Sequence, residues 1–82
     1  MNLKLKVGEH DVSVDAEPIE ANVIQFTATC GGTTRRARMT MAPKHDHTAE
    51  FLQNDIRERA QLLAEEAAGH EQSRKLTSAL FS

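Results

Sequence analysis

Three places in the chain hold residue types that chemistry needs. The first is His45-Asp46-His47, within KHDHTAEFLQND at residues 44–55. Two imidazoles one residue apart can ligate a metal from a loop, and an imidazole beside a carboxylate can serve as a general base. The second is Cys30 followed by Gly31 and Gly32, a thiol next to backbone that could turn its amides toward an anion. The third is TTRRARMTMAPK at 33–44, where Arg35, Arg36, Arg38 and Lys44 occur without an acidic residue. Guanidinium groups at this density suit phosphate or carboxylate partners.

Each place also has a plain structural explanation. Zinc needs three or four ligands, and the other donors, His10, Cys30 and His70, fall at hairpin turns and at the far end of a helix. They are not expected to converge on His45 and His47. Asp46, His47 or Thr48 instead suits the N-cap of the helix that follows, and His47 as the cap would put Glu50 at the capping-box position. The positive end of that helix would disfavour a protonated histidine, which argues against a pH switch. Cys30 falls on the inward side at a strand end, where a small buried hydrophobe is the usual reason for cysteine; a catalytic thiolate wants a helix N-terminus or a cation. The sequence has no glycine-rich phosphate loop, nucleophile elbow or acidic metal cluster. We therefore expect no catalytic residue, no metal and no cofactor.

The elements that must position these residues can be read from periodicity. Leu3, Leu5 and Val7 alternate with Lys4, Lys6 and Gly8, and the alternation resumes as Val12, Val14 and Ala16. This predicts a hairpin turning at Glu9-His10, with Val7 opposite Val12, Leu5 opposite Val14, Leu3 opposite Ala16, and Lys4 opposite Asp15 on the other face. Ile24, Phe26, Ala28 and Cys30 alternate with Gln25, Thr27 and Thr29 before Gly31-Gly32, a tight-turn signal. Counting outward from that turn pairs Phe26 with Ala37 and Ile24 with Met39 on one face, and Thr27 with Arg36 and Gln25 with Arg38 on the other. EPIEAN between the hairpins is expected to be a loop anchored by Ile19.

From Thr48 the period becomes helical. At about 100° per residue, Ala49, Leu52, Ile56, Ala60, Leu63 and Ala67 share one stripe, and Phe51 and Leu62 extend its apolar edge. Gly69 ends the pattern, and Leu76 and Leu80 would lie off the stripe if the helix ran on. A break near Gly69 is therefore expected, with a short second helix beyond it. The chain is expected to form a single α+β domain over 1–82: a four-stranded antiparallel sheet over 1–41, a meander of two hairpins, a long helix over 46–69 on one face, and a short helix over 71–81.

Composition narrows the function. A chain of 82 residues builds a core too small for a deep substrate pocket, which favours a binding surface or a dimer interface over an enclosed site. With one cysteine it can form no internal disulfide, so a reducing compartment, the cytoplasm, is expected. No apolar leader or membrane-length segment is evident. The surface of interest is the sheet face left bare by the helix. There Arg36, Arg38, Lys4 and Lys6 stand beside Gln25 and Thr27 as candidate contacts for a partner protein, with the bland alternative of a solvated β face. Leu76, Leu80 and Phe81 form a small apolar set suited to homodimer contact. The expected function is a non-catalytic adaptor or inhibitor that binds a partner protein through that sheet face, an exposed strand edge or the C-terminal apolar set. The alternative is a binder of nucleic-acid backbone through the same cations, although that face has no aromatic for base stacking. A metal-dependent enzyme or sensor built on His45 and His47 is a weaker third.

Overall fold

The computed structural model describes residues 1–41 and 48–81. Four strands, β1 (Asn2–Val7), β2 (His10–Glu20), β3 (Val23–Cys30) and β4 (Thr33–Thr40), precede one helix, α1 (Ala49–Phe81). The strands pair in chain order, β1-β2-β3-β4, each antiparallel to the next, so the sheet is the expected meander. One face packs against α1, which touches all four strands. The core is Val12, Val14, Ala16, Ile24, Phe26, Ala28, Cys30 and Met39 from the sheet, against Ala60, Leu63, Ala64, Ala67 and Ala68 from the helix. The helix meets the sheet mainly through alanine, which lets its backbone come close.

The second hairpin has the register read from the sequence, with Cys30 opposite Thr33 across Gly31-Gly32 and Phe26 opposite Ala37. The first differs. Its turn is Gly8-Glu9, with Val7 opposite His10, Leu5 opposite Val12 and Leu3 opposite Val14. Gly8, at φ 61°, supplies the left-handed residue that Glu9-His10 could not. The register moves by two residues, so the faces are unchanged, but Lys4 now lies opposite Ser13 and Lys6 opposite Asp11.

EPIEAN is mostly strand rather than loop. β2 runs through Pro18 to Glu20, and pairing shifts from Pro18–Ile24 to Glu20–Val23, leaving Ile19 as a bulge. Ile19 is 42% exposed and is not among the described residues that pack on the core. Proline is tolerated because β1 pairs no further than Asp15, with Met1 bonded to Ala16 just beyond, so among the described residues no strand lies beside Pro18 on that side to want its N–H.

The helix also departs from expectation: it passes Gly69 without interruption, and residues 71–81 continue it rather than forming a second helix. Glycine costs a helix about 1 kcal/mol relative to alanine, which weakens but does not break it when both sides are held. Arg35 Nη2 donates to Glu66 Oε1 at 2.6 Å before Gly69; after it, Gly32 N–H donates to Glu71 Oε2 at 2.7 Å and His10 Nε2 to Gln72 Oε1 at 3.1 Å. At its start, Thr48 is the cap: its hydroxyl accepts from Phe51 N–H and its carbonyl from Leu52 N–H, both at 3.1 Å. A helix of 33 residues is about 50 Å long and an eight-residue strand about 27 Å, so α1 overhangs the sheet, and residues 72–81 are all exposed.

Candidate interaction surface

Alternation in the four strands brings the predicted contact residues onto the face away from α1. Lys4 and Lys6 are exposed on β1, Arg36 and Arg38 on β4, and Gln25 and Thr27 are half-buried between them on β3. Thr27 lies opposite Arg36 and Gln25 opposite Arg38. With neighbouring strands about 4.8 Å apart, the lysine and arginine rows are separated by roughly 14 Å.

The same face carries acids that a search for cations passes over. On β2, Asp11, Asp15 and Glu17 share a side, with Asp15 opposite Thr27 and Glu17 opposite Gln25. The face is thus striped, basic on β1, acidic on β2, neutral on β3 and basic on β4. A hydrogen bond with Asp15, and then the charge of Asp15, raises the Glu17 carboxyl above its usual range. The signal for the acidic stripe was present in the alternation of β2.

Sequence reasoning also missed Glu71. It is 1% exposed, and its carboxylate receives Gly32 N–H on one oxygen and Arg74 Nε on the other. The Arg74 hydrogen bond holds its pKa below the usual glutamate range, with burial opposing and Gly32 assisting. Glu71 continues the buried stripe after Ala67, so a polar residue at an inward helical position was the available signal. Cys30 is buried beside it, and burial, then the Glu71 charge, pushes the thiol pKa up, which keeps it protonated at neutral pH.

Among the described residues, the remaining chemical candidates do not come together in one site. His45, Asp46 and His47 lie outside the described residues. Among the described residues, no group of three or more His, Cys, Asp or Glu is placed to hold a metal. Leu76, Leu80 and Phe81 are 55%, 78% and 85% exposed on the overhanging end of α1. Leu76 and Leu80 fall on the helix side facing away from the sheet and take no part in the described core. No helix among the described residues is long and apolar enough to cross a membrane.

Comparison with protein-family models, with curated proteins and with solved structures gave no match for the chain.

Proposed function

We propose that the chain is a small non-catalytic interaction module, an adaptor or inhibitor, that binds a partner protein through the bare sheet face and its adjoining β4 edge. The observation that carries this reading is the striped charge of that face. A protein surface can match alternating rows of cations and carboxylates, whereas a nucleic-acid backbone presents only negative charge and would meet Asp11, Asp15 and Glu17 unfavourably. The stripes thus favour protein over the nucleic-acid alternative. Arg36 and Arg38 lead the contacts, since arginine can bind carboxylates with two parallel hydrogen bonds; Lys4, Lys6, Gln25 and Thr27 extend the surface. The exposed Leu76, Leu80 and Phe81 supply a separate contact for a second copy of the chain. A cytoplasmic setting suits the lone buried thiol.

The test is capture of partners from lysate by the tagged protein, with and without nuclease, compared with a variant carrying Arg36→Glu and Arg38→Glu. A stoichiometric protein partner that survives nuclease and is lost in the variant supports the reading. Capture that nuclease abolishes overturns it in favour of nucleic acid.

A further inference from the structure

The helix-facing side of β4 is incompletely covered. Ala37 lies opposite the buried Phe26, yet it is exposed, because α1 does not reach over it. A recess of about 160 Å³ opens there, lined by Phe26, Ala37, Met39, Leu62 and Leu63, with Arg38 and Arg59 also on its wall. The recess is open on its outer side, and its volume is room for a single apolar side chain, since an enclosed cavity of about 150 Å³ admits a benzene-sized group. Glu66, the carboxylate at the rim, is already engaged by Arg35.

Beside the recess runs an open strand edge. Among the described residues β4 pairs with β3 alone. Cys30 and Thr33 close the two-residue turn as a hydrogen-bonded pair, and Met41 N–H donates to Asn22 O at the other end. The odd-numbered residues of β4 therefore bond inward, and Thr34, Arg36, Arg38 and Thr40 turn their N–H and C=O groups outward.

From these two features we infer that the β4 edge takes up an extended acidic segment of a partner as a fifth strand, with one apolar side chain of it seated in the recess. The register follows from the alternation. An antiparallel guest residue opposite Ala37 stands in a non-hydrogen-bonded pair, where side chains approach most closely, and its two neighbours fall opposite Arg36 and Arg38 on the outer face. Acids at those neighbours meet the arginines, and β4 itself carries no carboxylate to compete. Charge also decides against a second copy of the chain. Antiparallel β4 edges centred on Ala37 would set each Arg36 against the other's Arg38, like charges directly opposite. This assignment deepens the interaction-module reading and rests on it for a natural partner, but it can fail separately.

The probe is the capped peptide Glu-Thr-Glu-Leu-Glu-Thr-Glu, titrated at low salt into isotopically labelled protein while backbone amides are followed by NMR. Saturable shifts concentrated at 34–40 are expected. Replacing the central leucine with glycine, or filling the recess by Ala37→Leu, should weaken binding about tenfold or more. Methylating the backbone nitrogens of the two glutamates that flank the leucine, which are the donors to β4, should abolish it. These peptide changes leave the folding of the protein untouched. Absence of saturable shifts on β4, or binding indifferent to both the leucine and the methyl groups, overturns the inference. So do β4 shifts produced by concentrating the protein alone, which would assign the edge to a second copy. A captured partner that is lost with Arg36→Glu and Arg38→Glu but unaffected by Ala37→Leu would uphold the interaction module and overturn the inference that the recess seats a side chain of that partner.

Discussion

The contact between Gly31 and Glu71 sets up a test of how α1 is held to the sheet. Both Gly8 and Gly31 occupy left-handed backbone, at φ 61° and 58°. Alanine in that conformation costs about 1–2 kcal/mol, and a domain of this size loses about 4–8 °C of Tm per kcal/mol. At Gly8 a Cβ meets nothing within 4 Å, so Gly8→Ala reports strain alone. At Gly31 the Cβ would lie 2.0 Å from Glu71 Oε2 and 2.8 Å from its carboxyl carbon. Gly31→Ala must therefore also displace the carboxylate from Gly32 N–H. The assay is reversible urea unfolding of the wild type, Gly8→Ala, Gly31→Ala, Glu71→Ala, and Gly31→Ala combined with Glu71→Ala. Gly31→Ala should cost more than Gly8→Ala in the wild-type background and about the same once Glu71 is truncated. Independent sites add within about 0.5 kcal/mol. Coupling below that level, or equal costs at Gly8 and Gly31 in the wild type, would refute the claim that Glu71 fastens the helix to the turn.

Other perturbations follow from the same geometry. Gly69→Ala should stabilise the domain by about 0.5–1 kcal/mol in urea unfolding, because Gly69 lies within α1 and an added Cβ meets nothing within 4 Å. The carboxyl of Glu71 has its folded pKa lowered, so its contribution is fully present above the ordinary glutamate value near 4.5 and is lost as pH falls through the lower folded value. Glu71→Gln should accordingly reduce Tm at pH 7, with the difference from wild type narrowing below pH 4.5. Glu17 has the opposite sign, since its raised pKa makes the ionised form unfavourable in the fold. Glu17→Gln should raise Tm at neutral pH, and the gain should disappear in acid. Replacing Leu80 and Phe81 with serine should leave unfolding of the dilute protein within about 0.5 kcal/mol of wild type while removing any concentration dependence seen by sedimentation.

Much of the sheet was legible because alternation encodes facing directly. Val12, Val14, Phe26 and Ala28 are buried where the period of two puts them, and Gly31-Gly32 fixed the second register through turn chemistry. The first register escaped because a two-residue shift leaves the same side chains on the same faces, so hydrophobicity alone could not separate Gly8-Glu9 from Glu9-His10. That β2 runs on past Ala16 into EPIEAN escaped too, because the rule against proline in a central strand presumes a neighbour on both sides, and β1 pairs only as far as Asp15. Gly69 misled for a related reason: propensity describes an isolated helix, and Arg35, Gly32 and His10 hold this one from the sheet. Ending the stripe there hid Glu71. The candidate surface was half legible. Arg36, Arg38, Lys4 and Lys6 stand on the expected face, while the carboxylates of β2 and the uncovered Ala37 depend on how strands and helix lie together.

The overhang of α1 makes its last turns dependent on events elsewhere. An isolated helix shorter than about 12–15 residues is marginal in water because its first turn is costly to nucleate. Residues 72–81 avoid that step, since the docked part of α1 acts as their nucleus and each further residue needs only to propagate. Their amides should exchange with solvent progressively faster from Gln72 outward, and releasing Glu71 or Gln72 should speed exchange along the segment. A protein that settles on Leu76 and Leu80 would reverse this, slowing exchange at positions it never touches.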